Sequence, residues 1–184
     1  MGRPVYRVNA LGGFAAAAVD ASMNASPLLV SIAQALAQSR LEAVLIGNAA
    51  AALHGAPVTT VDFDFMFRNT PANLTKLKRF ASQLEAVIFR PYYPASALFR
   101  VINDDRGLQV DFMSAIHGVR SFASLRGRAQ MTTVGGYPLL MADLNDIILS
   151  KRAANRPRDH AVIAILEKTL HEKEKLKSSQ PPGA

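Results

Sequence analysis

The chain has 184 residues, 49% of them hydrophobic, which suits one domain with a real core and room for a small helical appendage. It contains no cysteine, which excludes disulfides, zinc–thiolate sites and thiol catalysis and fits a reducing cytoplasm. A net charge of +7 favours acidic partners, whether nucleotides, nucleic acid or an anionic membrane surface, and no apolar run approaches the length of a membrane span.

Residues 1–25 are rich in Ala and Gly and lack a firm periodicity. Arg3 and Arg7 ahead of Ala10–Val19 give the outline of a signal peptide, but Asn9 and Asp20 interrupt it and no clean cleavage site follows. The segment reads as a loosely ordered N-terminal arm, with a short helix at most over Phe14–Ala21. Pro27 opens a helix with Ser26 as its cap, and Leu28, Leu29, Ile32, Ala35 and Leu36 share one face. This helix is expected to pack beneath the first strand, Glu42–Ile46, whose apolar run stops at Gly47. A short helix, Asn48–His54, follows and is ended by Gly55 and Pro57. The next strand, Val61–Arg68, alternates: Val61, Phe63, Phe65 and Phe67 face one way, Asp62 and Asp64 the other.

That stretch carries the chemistry. Two carboxylates one strand step apart repel each other unless a cation sits between them, and a divalent ion with oxygen ligands is the natural candidate. The start of the helix after Gly47 offers unpaired N–H groups, which attract phosphate. An anion site beside a cation site suits a nucleoside triphosphate carried with magnesium. Taken singly, an Asp-X-Asp pair and a glycine turn are ordinary surface features. Their spacing, on a strand buried by Phe63 and Phe65, sets them apart.

Further along, Thr70-Pro71 begins a helix to about Leu84, with Leu74, Leu77, Phe80, Ala81 and Leu84 as its stripe and Lys76, Lys78 and Arg79 on the solvated side. Val87–Arg90 is a brief strand. Tyr92 and Tyr93 lie in a proline-flanked loop, where tyrosine either packs or stacks on a base. Leu98–Asn103 and Leu108–Ser114 form a hairpin across Asp104-Asp105-Arg106-Gly107. Asp111 points away from Leu108, Val110 and Phe112. If its strand lies beside the Asp62–Asp64 strand, three carboxylates converge. Residues 117–128 give no clear element; Arg120, Arg126 and Arg128 surround Phe122 and Leu125 and either line a path for RNA or are simply solvated. Gly135-Gly136 is a turn between Met131–Val134 and Tyr137–Met141. Asp143 caps a helix from Leu144 to about Ala154, with Lys151 and Arg152 at its cation-favouring end. A last helix follows Arg156-Pro157, and residues 173–184 read as a flexible tail. The four histidines, His54, His117, His160 and His171, show no zinc spacing.

Gly47-Asn48, the short helix to His54-Gly55, and Thr60-Val-Asp62-Phe-Asp64 together resemble the signature of the nucleotidyltransferase superfamily, the relatives of DNA polymerase beta. The likeness is to the small bacterial branch that includes abortive-infection nucleotidyltransferase toxins. Asp143 through Lys151 to Arg156-Pro-Arg-Asp159 resembles the family's C-terminal helical signature. The resemblance spans roughly residues 43–166 and rests on three separated blocks in order. It implies an α/β (α+β) fold, a mixed sheet flanked by helices, with a core over 26–142 and a C-terminal helical pair over 143–172. It further implies that Asp62, Asp64 and Asp111 are catalytic and hold Mg2+, that Gly47, Asn48, Thr60 and Lys151 contact the nucleotide, and that Asp159 holds the helix pair together. The family's turn usually reads Gly-Gly or Gly-Ser where Asn48 stands, and an Arg is common where this chain has Val58.

The activity so implied is transfer of a nucleoside monophosphate from an NTP to an acceptor hydroxyl. A tRNA end is the acceptor that the basic charge favours, and the toxin branch implies a cognate antitoxin as partner. Two other readings stand beside it. Asn48 and Val58 motivate a decayed domain that binds nucleotide or RNA without transfer. A small-molecule transferase of the aminoglycoside type is the third, against which the chain looks too short for an extra acceptor-binding domain.

Overall fold

A computed structural model describes residues 27–60, 62–90 and 98–179. The expected N-terminal arm, the Ser26 cap, Val61, and the Tyr92–Tyr93 loop lie outside these residues. The described elements are α1 (Pro27–Ser39), β1 (Ala43–Ile46), α2 (Gly47–Leu53), β2 (Phe63–Phe67), α3 (Pro71–Gln83), β3 (Val87–Phe89), β4 (Leu98–Asn103), β5 (Leu108–Met113), α4 (Phe122–Arg128), β6 (Gln130–Val134), β7 (Tyr137–Met141), α5 (Leu144–Ala154) and α6 (Pro157–Ser178).

The strands form one mixed sheet in the order β3-β4-β5-β2-β1-β7-β6. β1 runs antiparallel to β2, so the strand–helix–strand unit around Gly47 is not a parallel crossover: the loop after α2 returns the chain beside its own first strand. β2 and β5 are parallel, with Phe63 opposite Val110, Asp64 opposite Asp111 and Phe65 opposite Phe112. β4 and β5 form the expected hairpin. The alternation read from the sequence holds on β2, where Phe63, Phe65 and Phe67 are buried. Phe112 stacks on Phe65 with ring centroids 5.3 Å apart and meets Phe80 of α3 edge-on at 5.2 Å. Such pairs contribute roughly 0.5–1.5 kcal/mol beyond burial. This aromatic block fixes β2 against β5 from the face opposite the carboxylates.

Helix boundaries follow their local chemistry. Thr70 accepts from the Asn73 N–H at 3.3 Å, and Pro71 fills the first helical position of α3. Asp143 accepts from the Asn145 N–H at 2.9 Å, and α5 ends on Asn155 in the left-handed region at φ 47°. α1 packs on β7 and α3 rather than beneath β1 as expected, because β7 is inserted on that side of β1. α4 occupies the stretch that the sequence left unassigned; Ser121 caps it, accepting from the Ser124 N–H at 3.1 Å, and it buries Phe122 and Leu125. α6 continues through Ser178, past the boundary expected at residue 172. Its helical hydrogen bonds do not stop where its apolar stripe does. Among the described residues no helix is long and apolar enough to cross a membrane.

Asn73 is an organiser that composition did not mark. Its side chain is buried, accepts from the Glu42 N–H at 2.9 Å and donates to the carbonyls of Glu42 and Arg68 at 3.1 and 2.8 Å. It thereby ties α3 to the adjoining ends of β1 and β2, the ends remote from Gly47 and Asp64.

Candidate active site

The opposite ends of β1 and β2 open into a cavity of about 550 Å3. Asp62, Asp64, Asp111, Gly47 and Lys151 all line it. Asp64 stands in β2 directly between Ile46 of β1 and Asp111 of β5, so sheet register alone brings two of the carboxylates side by side. Asp62 is placed by Thr60, whose hydroxyl donates to the Asp62 carbonyl at 2.7 Å and accepts from its N–H at 3.4 Å.

Gly47 has φ +68°, the region that L side chains avoid, and a Cβ built there would stand 3.0 Å from Asp64 Oδ2. The turn is glycine because the carboxylate lies against it. Asp64 is pushed up to about 6, first by burial and then by the charges of Asp111 and Asp62, with Lys151 and Arg100 acting in the other direction. A buried carboxylate between two others is an incompletely neutralised arrangement, which an added cation relieves.

Asp111 already has a cation. Arg100 Nε and Nη2 each donate to one of its carboxylate oxygens, both at 2.7 Å. Lys151 Nζ donates to Asp159 Oδ1 at 3.1 Å, and both side chains are nearly buried, at 14% and 8% exposure. This pair joins α5 to the first turn of α6 at the cavity wall. Arg156 and Arg158 also line the cavity. Asp146 does too, and Arg128 of α4 holds it through Nε and Nη2.

Two of the expected nucleotide contacts are placed differently. Asn48 and Thr60 are not on the cavity wall. The Asn48 amide donates to the Thr59 carbonyl at 3.3 Å, and its Oδ1 is buried without a hydrogen-bond partner. Both side chains brace the α2–β2 loop, so their link to the cavity runs through the backbone of Gly47 and Asp62. Arg100, Arg156 and Arg158 were missed as site residues. Arg156 and Arg158 had a signal, because they lie within the C-terminal motif. Arg100 had none, because its partner is set only by the register of the hairpin.

The donor set can be weighed for a divalent ion. Among the described residues no three His, Cys, Asp or Glu side chains are arranged to hold a metal. Asp62 and Asp64 offer the hard oxygen ligands that magnesium takes, typically one or two carboxylates with substrate phosphates completing the shell. Asp111, expected as a third ligand, meets Arg100 through both its oxygens in this arrangement, so a metal ion would have to share it with the guanidinium.

Similarity to known proteins fits this geometry. No curated protein sequence matches the chain. Among solved structures, the solution structure of the antibiotic-resistance factor ANT(2'')-Ia superposes with a TM-score of 0.55 at 16% identity, covering 82% of this chain and 86% of that one. The crystal structure of ANT(2'')-Ia in complex with adenylyl-2''-tobramycin gives 0.54 at 18%, covering 82% and 91%. A Thermotoga maritima protein, TM1012, described as a nucleotidyltransferase, gives 0.51 at 17%, with the same coverage of 82% and 91%. At these identities the likeness is one of fold. The family model described as nucleotidyl transferase of unknown function (DUF2204) matches residues 26–180. A match over most of the length, on the fold and cavity just described, identifies the chain as a member of the DUF2204 family, an enzyme of the nucleotidyltransferase superfamily.

Proposed function

We propose that the cavity carries out magnesium-dependent transfer of a nucleoside monophosphate from an NTP to an acceptor hydroxyl, with a tRNA end as the acceptor. The observation that supports this most is that Asp62, Asp64, Asp111 and Lys151 line one cavity beside the Gly47 turn. Asp62 and Asp64 would hold the magnesium ion, which when bound neutralises charge on the phosphates. Gly47 leaves the backbone bare where the triphosphate passes Asp64. Asp111 takes the proton of the acceptor hydroxyl, whose oxygen bonds to the α-phosphorus as the bond to the departing pyrophosphate breaks. Lys151 faces the negative charge that accumulates on the leaving group. The net charge of +7 supports a polyanionic acceptor. A toxin role, a cognate antitoxin and a cytoplasmic location rest on the resemblance to the abortive-infection branch.

A small-molecule acceptor is the second reading. The ANT(2'')-Ia complex is with an adenylylated tobramycin, and this chain covers 91% of that protein. The objection that this chain is too short for such a reaction therefore falls. The test incubates purified protein with magnesium and each of the four labelled NTPs, offering total RNA in one arm and aminoglycosides in the other. Label should move to the 3′ end of tRNA and should not move with Asp62→Ala/Asp64→Ala. Label on the aminoglycosides alone supports the second reading. No transfer in either arm overturns both.

A further inference from the structure

Arg100 and Asp111 stand directly opposite each other on the antiparallel strands β4 and β5. The guanidinium is bidentate, with both contacts at 2.7 Å, and so occupies both oxygens of the carboxylate. It also lies in the field of all three acids: Asp111, Asp62 and Asp64 each favour its charged form. The Asp111 side chain is 11% exposed and that of Arg100 31%, so the pair is largely shielded on one side and open to the cavity on the other. The charge that a shared metal ion would neutralise on Asp111 is therefore already met by a protein cation. A guanidinium has one property an ordinary structural counter-ion lacks here: its planar fork matches phosphate as well as carboxylate. A triphosphate entering the cavity offers Arg100 a second anion of the same geometry.

We propose that Arg100 is a built-in competitor of the metal ion: without nucleotide it keeps Asp111 out of the metal's coordination, leaving a weak site on Asp62 and Asp64, and nucleotide phosphate draws it away. Asp111 is thus released when substrate is present and is paired when it is not. Arg100 acts here as a positioning residue, through Asp111. The inference rests on the metal-dependent reading above. A purely structural cross-strand pair makes a different prediction: cation binding would then rise only with the loss of the Arg100 charge, so Arg100→Gln would gain and the charge-conserving Arg100→Lys would not.

The experiment titrates Mn2+ into the metal-free full-length chain without nucleotide, following free Mn2+ by electron paramagnetic resonance. In the parent, binding should be weak, lost in Asp64→Asn and little changed in Asp111→Asn. Arg100→Gln should bind Mn2+ about tenfold more tightly, the scale expected when one charge-assisted pair stops competing, and Arg100→Gln/Asp111→Asn should lose that gain. Arg100→Lys keeps the charge without the fork and should gain less than Arg100→Gln; it carries the test if the glutamine variant does not fold. Arg100→Lys binding no tighter than the parent, with parent binding still sensitive to Asp64→Asn, overturns the inference and spares the metal reading. So does an Asp111→Asn substitution that weakens the parent as much as it weakens Arg100→Gln. If neither the parent nor Arg100→Gln binds Mn2+ in a manner sensitive to Asp64→Asn, the metal reading fails and the inference with it.

Discussion

Asp64 gives the sharpest quantitative test of the electrostatics. In the metal-free fold its carboxyl is raised from 3.8 to about 6 by burial and by Asp111 and Asp62. The unfolded chain has no such neighbours, so over this interval the folded state binds more protons than the unfolded one. Stability then falls as pH rises from about 4 to 6 and levels off above, where the charged form is imposed on the fold. The shift corresponds to about 3 kcal/mol at neutral pH. Asp64→Asn keeps the side chain's shape and removes the charge. In urea unfolding with a chelator present, the variant should be more stable than the parent by about 2–3 kcal/mol at pH 8, and the advantage should vanish near pH 4. Added magnesium should stabilise the parent and leave Asp64→Asn unmoved. A variant no more stable than the parent at pH 8, or one whose advantage persists into acid, would refute the account of a strained, unneutralised carboxylate.

Other substitutions probe the neighbours. Gly47→Ala should cost about 1–2 kcal/mol for its left-handed backbone and, with its Cβ 3.0 Å from Asp64 Oδ2, should abolish nucleotide transfer in a labelled-NTP assay. Lys151→Met should destabilise by about 3–5 kcal/mol in denaturant because Asp159 is left buried without its cation. Lys151→Met/Asp159→Asn should recover most of that stability and none of the transfer activity, which separates the proposed phosphate role from the structural one. Asn73→Ala leaves the Glu42 N–H unpaired and removes one of the two donors to each of the Glu42 and Arg68 carbonyls; it should cost about 1–3 kcal/mol in urea unfolding, with activity of the remaining folded protein retained, since the site lies at the other end of β1 and β2.

The sequence was most legible where local chemistry decides the outcome. The apolar run into Gly47, the alternation of phenylalanine with Asp62 and Asp64, and the Asp143 cap all act within a few residues, and their elements lie within a residue or two of the expected bounds. The antiparallel return of β2 beside β1 was not legible, because strand direction depends on the path of a loop. α4 was overlooked although Ser121, Phe122 and Leu125 have helical spacing; Gly127 and the two flanking arginines masked the pattern. Arg100 and Asn73 were invisible for a deeper reason. Asn73 acts on residues 31 positions away, and Arg100 reads as one more alternating residue until the hairpin sets its partner.

The alignment of β5 with β2 has an effect on fidelity. Asp64 and Asp111 lie on the cavity side of neighbouring strands, while Phe65 and Phe112 stack on the other. Sliding β5 by one position would turn Phe112, which is fully buried, out into the polar cavity and drive Asp111 among the rings of Phe67 and Phe80. Losing the burial of one phenylalanine costs about 1.5–3 kcal/mol, and an unpaired charge in that aromatic layer costs more. The chain therefore proofreads the alignment of these two carboxylates as it folds: misassembled molecules forfeit the core, so those that survive are the ones with their acids side by side.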